Sequence, residues 1–278
     1  MSRNFELMQR AGKLLEIELP KPADAAIPKP NPSIAIPLTP ALAPTASPTL
    51  APPSTGKWEA QRVGARSTVE QIAFEESHRL IQHIFSAHNQ EPPRVIVFAG
   101  IDHGNGCSRI CVRTVEALQE NLRGTVCLVE ANFRSPSLHQ VFGTPNHYGL
   151  TDALLGEGPM KAFATSVRKG NLYLISCGSL VVNSHGLLNS ERLASRFDDL
   201  RNEFDYVVVD APPLSRYSDA IALGRVADGL VLVLEANATR REAAVRISEH
   251  LRASQIRILG AVLNKRTFPI PESLYRLL

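Results

Sequence analysis

The sequence predicts a doubly wound α/β domain on a mostly parallel sheet, and three observations carry that expectation. Short, continuously apolar runs recur: "RVIVFAG" (94–100), "TVCLVEA" (125–131), "NLYLISCG" (171–178), "DYVVVDAPP" (205–213), "GLVLVLEA" (229–236) and "RILGAVLN" (257–264). Continuous rather than alternating hydrophobicity suits parallel strands covered on both faces. Stretches with helical period separate the runs, and a glycine turn leads from the first run into one of them. Strands alternating with helices at this spacing give a sheet sandwiched between helical layers.

The elements follow in chain order. Residues 1–19 read as an amphipathic helix, with Phe5, Met8 and Leu15 on one stripe and Leu7, Ala11 and Leu14 beside it. So short a helix cannot bury that stripe alone, which makes it either a frayed terminus or a docking helix for a partner's groove. Residues 20–56 read as a disordered linker, because 20–53 holds eleven of the chain's twenty prolines and each removes a backbone donor. Extended at ~3.1 Å per residue, it would reach on the order of 100 Å. The globular domain is expected over 57–278. It opens with the amphipathic helix "IAFEESHRLIQHIF" (72–85), and a second helix is marked by Ile110, Cys111, Thr114, Leu118 and Leu122. "TRRE" (239–242) reads as a capping box that starts a later helix.

Composition narrows the function. A net charge of +3 over 278 residues is too small to imply nucleic acid or an anionic membrane as partner. The four cysteines, Cys107, Cys111, Cys127 and Cys177, form no C-x-x-C pair. No zinc pattern emerges, and no disulfide framework is expected. They read as buried free thiols, with Cys107 the one that a glycine turn would leave accessible. No run approaches the roughly 18 apolar residues of a membrane helix, and "MSRNFELMQRAGK" lacks the apolar core of a signal peptide. A cytoplasmic protein is expected, linked to a membrane only through a partner.

Ligands of such sheets bind beyond the carboxyl ends of the strands, and three segments fall there. In "FAGIDHGNGCSRI" (98–110), Gly104, Asn105 and Gly106 make the turn of a phosphate-binding loop. Its backbone N–H groups and the following helix N-terminus suit phosphate oxygens. Ser108 stands where the magnesium-binding hydroxyl belongs, and Cys107 stands where the lysine belongs. The second segment is "CLVEANFRSPSLHQVFG" (127–143). The third, "FDYVVVDAPP" (204–213), ends a strand in Asp210. A carboxylate there is ordinarily a cap or loop anchor, but beside a phosphate loop it reads as an acid that holds magnesium through water.

Together these segments resemble the bacterial tyrosine autokinases of exopolysaccharide and capsule synthesis. Those kinases are P-loop ATPases related to the partition and septum-placement ATPases. The resemblance spans about residues 70 to 265 and includes "RSPSLHQVFGTPNHYGLTDALLGEG" (134–158), the long string 187–243 and "ILGAVLN" (258–264). "MSRNFELMQ" is similar to the start of autokinases found beside exopolysaccharide export systems. The resemblance implies a P-loop NTPase fold binding ATP and Mg. Gly104, Asn105, Gly106, Cys107 and Ser108 would then hold the phosphates, and Asn264 the adenine. Glu130 and Asp210 would be catalytic, Ser108, Glu130 and Asp210 the magnesium set, and Tyr275 the phosphoacceptor.

This sequence also departs from the family. Cys107 replaces the loop lysine, and Glu130-Ala131-Asn132 replaces the D-x-D motif. Tyr275 alone remains of a tyrosine-rich tail, and the E-x-x-R-x-x-R assembly helix reads Glu76, Arg79, Gln82. A charge-assisted hydrogen bond contributes ~1.5–3 kcal/mol, so losing the lysine weakens nucleotide binding on the order of tenfold to a hundredfold. A larger loss follows at the transition state, where charge is more sharply directed. Arg109, Arg113 and His103 are the cations that could substitute.

The leading expectation is a catalytically impaired autokinase homologue serving as scaffold or regulator in polysaccharide synthesis or export. Its partners would be a membrane polysaccharide co-polymerase, an active autokinase paralogue or further copies of itself, and not nucleic acid. An active autokinase using Arg109 or Arg113 is the alternative. A partition-type ATPase binding DNA or membrane, and a redox sensor built on Cys107 and Cys111, are the other classes.

Overall fold

The computed structural model describes residues 68–85, 92–168, 170–179, 184–188 and 191–266. The expected helix 1–19, the linker 20–56 with the domain boundary after it, and Tyr275 lie outside the described residues. Six strands coincide with the six apolar runs: β1 (Val95–Gly100), β2 (Val126–Glu130), β4 (Leu172–Ile175), β5 (Tyr206–Ala211), β6 (Gly229–Glu235) and β7 (Ile258–Asn264). The seventh, β3 (Thr165–Ser166), is an exposed polar pair that runs antiparallel to β4 at the sheet edge. Its two residues carry no apolar signal, so the sequence shows no strand there.

The sheet order is β3-β4-β2-β5-β1-β6-β7, parallel apart from the β3 edge. From β1 the chain crosses to β2 on one side, and after β5 it crosses to β6 on the other. The strand order reverses between β1 and β5, which places a crevice beyond their carboxyl ends.

Both faces of the sheet are covered except at the edge strand β7, whose residues are partly buried or exposed. Ile96 and Phe98 of β1 join a core with Ile81 and Ile84 of α1 (Thr68–Phe85) and with Ile110, Cys111, Val115 and Leu118 of α2 (Cys107–Asn121). The short helix α3 (Leu138–Phe142) adds Leu138 to this core. Val95, Val97 and Ala99 point the other way. They join Leu150 and Leu154 of α4 (Leu150–Leu155), Leu188 of α5 (Ser184–Leu188) and Phe197 of α6 (Glu191–Glu203). Leu223 of α7 (Asp219–Val226) and Leu251 of α8 (Arg241–Ala253) complete that layer. Each fully buried aliphatic side chain stabilises by about 1.5–3 kcal/mol, so this two-sided burial sets the strand positions.

One sequence expectation is corrected in detail. The "TRRE" capping box does not form: the N-cap of α8 is Arg240, without a side-chain cap. Thr239 Oγ instead accepts the Glu235 N–H at 2.9 Å, tying the loop to the end of β6. On α1, Glu76 and Arg79 pair with each other at 2.9 Å and both are largely exposed, so the pair itself adds little stability. Among the described residues, no helix is long and apolar enough to cross a membrane.

Arg196 of α6 joins that helix to α4 and to the segment after it. It is nearly buried, and its guanidinium donates to the carbonyls of Ala153 (2.8 Å), Gly158 (2.7 Å) and Gly156 (2.5 Å) while pairing with Asp199 at 3.1 Å. Methionine preserves the length of the side chain but removes these donors, and among the described residues only Gly156 keeps another, Arg192 Nη2 at 2.8 Å. Arg196→Met is expected to lower unfolding stability by about 3 kcal/mol, measured by urea denaturation. A change within ~0.5 kcal/mol would show that the carbonyls are solvated instead.

Candidate functional site

The crevice is floored by three adjacent strand ends. In register across β2, β5 and β1, Glu130 lies beside Asp210, and Asp210 beside Phe98. From β1 the chain turns through residues 100–106 into α2. Gly104 and Gly106 lie at φ 85° and 82°, a left-handed conformation that L side chains rarely adopt. A Cβ at Gly106 would also collide with the Asn264 side chain.

The loop is fastened from the far strands. Asn105 is buried, and its Oδ1 accepts the Asp102 N–H at 2.6 Å. Its Nδ2 donates to Glu235 Oε2 at the end of β6 at 3.4 Å, and Lys265 Nζ reaches the same oxygen at 3.1 Å. Asn264 Nδ2 donates to the Asn105 carbonyl at 2.8 Å. Asn264 therefore helps to hold the loop in this structure. Sequence reasoning missed Glu235 and Lys265. The available signal was polar residues at the ends of two apolar runs.

Cys107 is the first residue of α2, and Cys111 follows one turn later on the same helical face. Cys107 is half-buried, whereas Cys111, Cys127 and Cys177 are buried. The thiols of Cys107 and Cys111 gather against Asp210, and the three potential ligand atoms all lie within 4.8 Å of one another. Cys111 Sγ donates to Asp210 Oδ1 at 3.8 Å. The Cys107 side chain thus turns toward the end of β5. His103 is exposed at the loop tip and Arg109 is exposed on the first turn of α2, while Arg113 lies half-buried a turn further on.

The electrostatics follow from burial. The Asp210 carboxyl is pushed up to about 6, chiefly by burial and also by the Glu130 charge, against hydrogen bonds from Ser108, Cys107 and Cys111. Its Oδ2 is buried and has no hydrogen-bond partner. Burial, then Cys107, hold the Cys111 thiol well above its ordinary value. The hydrogen bond with Cys111 pulls Cys107 down, but burial and the Asp210 charge outweigh it and leave that thiol raised. Both remain protonated near neutrality and are poor nucleophiles, which weighs against the redox sensor.

Glu130 is fully buried and already engaged. Oε1 accepts the Ser137 N–H and the Leu138 N–H (2.5 Å) at the start of α3, and Oε2 accepts the Cys177 N–H at 3.4 Å. His139 Nδ1 lies 3.5 Å from Oε2. The arrangement is that of a loop and helix anchor. Arg134, on the loop after β2, reaches Asp219 at 3.6 Å and lies over the Tyr217 ring. It joins the two loops that flank the crevice, a link that sequence separation hides.

A magnesium nucleotide fits this site in part. The glycine turn and the N-terminus of α2, which has no acidic residue in its first turn, suit a phosphate. Magnesium requires oxygen ligands. The buried Asp210 instead faces two thiols, and Glu130 is occupied by backbone donors.

Asp210 also leaves a stability signature. The folded protein holds its proton more tightly than the unfolded chain, from the ordinary 3.8 up to about 6, so unfolding releases protons in that window and stability falls as pH rises through it. The displacement corresponds to about 3 kcal/mol at neutral pH. Relative to the unchanged protein, Asp210→Asn should gain up to about 3 kcal/mol between about pH 4 and pH 7, read by denaturant unfolding across pH. A difference that stays flat with pH would show that the carboxyl is hydrated.

No protein-family model matches the chain. Over 139 residues it is 32% identical to the tyrosine-protein kinase YwqD of Bacillus subtilis, covering 50% of this chain and 59% of that protein. It is 30% identical over 175 residues to the succinoglycan biosynthesis transport protein ExoP of Rhizobium meliloti, covering 62% of this chain but 22% of the relative. Among solved structures, the kinase domain of Escherichia coli tyrosine kinase ETK superposes with a TM-score of 0.65 at 22% identity, covering 71% of this chain and 78% of that one. The septum site-determining protein MinD of Pyrococcus horikoshii, complexed with Mg-ADP, gives 0.53 at 19% identity, covering 66% and 77%. At these identities the two structures speak for the fold alone. The chain is a homologue of the bacterial tyrosine-protein kinases, built on the P-loop NTPase fold.

Proposed function

We propose that this chain is a kinase-fold scaffold or regulator of exopolysaccharide synthesis or export in which phosphoryl transfer is weak or lost. One observation carries the reading: Cys107 occupies the place of the phosphate-loop lysine, and its thiol is turned into the buried Asp210 pocket. Phosphoryl transfer depends on positioning and on cationic charge at the phosphates, and a protonated thiol supplies no charge. The engagement of Glu130 by three backbone N–H groups supports the same reading, since it leaves that carboxylate anchoring a helix. The polysaccharide setting rests on ExoP, named for succinoglycan biosynthesis transport. A membrane polysaccharide co-polymerase, an active autokinase paralogue or further copies of the chain are the proposed partners. The segment 1–56 would act as helix and tether ahead of the domain 57–278, extending its reach.

A second reading, an active tyrosine autokinase, is favoured by the exposed Arg109 two residues beyond Cys107 and by the kinase relatives. In that case Arg109 or Arg113 would replace the lysine, with Asp210 and Ser108 holding Mg-ATP and Tyr275 accepting the phosphoryl group.

The full chain incubated with Mg-ATP is expected to form no phosphotyrosine. By calorimetry, Cys107→Lys should bind Mg-ATP at least about tenfold more tightly than the unchanged chain. Autophosphorylation that disappears in Asp210→Asn would overturn the proposal in favour of the active kinase.

A further inference from the structure

The two thiols and the carboxylate beneath the phosphate loop form a donor set of their own. Cys107 and Cys111 stand one helical turn apart on one face of α2, and Asp210 approaches them from the end of β5. All three ligand atoms lie within 4.8 Å of one another, and Cys111 Sγ is 3.8 Å from Asp210 Oδ1. A tetrahedral zinc ion with Zn–S legs of ~2.3 Å and Zn–O legs of ~2.0 Å sets sulfur and oxygen roughly 3.5 Å apart. The observed separation needs to close by only a few tenths of an ångström.

A second, independent observation points into the same place. Asp210 is 1% exposed, and its Oδ2 has no hydrogen-bond partner. Buried polar atoms are ordinarily satisfied, and one left open beside two thiols is the arrangement that a cation would complete.

We propose that Cys107, Cys111 and Asp210 bind a thiophilic divalent cation of the Zn²⁺ type at the base of the loop. Two sulfur donors select against magnesium and calcium, which take oxygen, and favour zinc. Three protein ligands leave one position open for water. Cys107 and Ser108 are half-buried, so the solvent side of the site lies on the first turn of α2. On binding, each thiol gives its proton to solvent, so a dication, two thiols and a carboxylate become a singly negative complex and two protons. No electron is transferred. The inference goes beyond the scaffold reading and does not depend on it, because the cation site needs no nucleotide. A C-x-x-x-C pair completed by an aspartate 99 residues away from Cys111 escapes any linear zinc pattern.

The test is a Co²⁺ titration of the tag-free full chain in a thiol-free reductant. Thiolate-to-cobalt charge-transfer absorption should saturate at one ion per chain, disappear on addition of Zn²⁺ and persist in excess Mg²⁺. Cys111→Ser and Cys107→Ser should each weaken binding at least about tenfold, the loss that even outer-shell substitutions cause in metal sites. If Cys111→Ser fails to fold, the half-buried Cys107→Ser decides. Absence of the charge-transfer band, or a band that the folded variants retain at full affinity, overturns the proposal.

Discussion

Two carboxylates in register at the ends of neighbouring buried strands, Glu130 beside Asp210, set the terms for everything around the crevice. A carboxylate removed from water must gather donors or hold its proton. Glu130 gathers them: backbone N–H groups from Ser137, Leu138 and Cys177 converge on it, fixing the start of α3 and the segment after β4. Asp210 meets side chains instead, and burial next to a second carboxylate pushes it up to about 6. One acid is spent on architecture, and the other remains available for chemistry.

The loop above them is equally constrained. Asn105, Glu235, Asn264 and Lys265 link the first strand-to-helix turn to the ends of β6 and β7. A backbone held in this way presents its N–H groups without reorganisation, the property that an anion cradle requires. The turn is thus held from two strand ends, and the residue that follows it, Cys107, packs its thiol against Asp210. That placement of Cys107 is what the proposed scaffold role and the proposed soft-metal site have in common.

Much of the fold is legible in the residues. Continuous runs such as "VIVFAG" are buried on every side chain, so hydrophobicity alone marks β1, β2, β4, β5, β6 and β7. The exceptions have physical causes. Thr165 and Ser166 pair through backbone atoms at an exposed edge, where no apolar side chain is needed. Thr239 had the spacing of a capping residue, but a nearer backbone donor, the Glu235 N–H, captured its hydroxyl. The glycine turn was legible because Gly104 and Gly106 occupy positive φ, which the residue type itself announces.

By itself the sequence determined the six parallel strands, their alternation with helices, the glycine turn and the cysteine that follows it. These follow from burial and backbone freedom, which act locally. Only the tertiary structure decided where the polar side chains point. That Glu130 anchors a helix, that Asn264 holds the loop, and that Cys107 and Cys111 face Asp210 all depend on contacts between segments far apart in the chain. Hydrogen bonds and coordination are directional and short-ranged, so residue types in a line do not fix their partners until the strands are laid side by side.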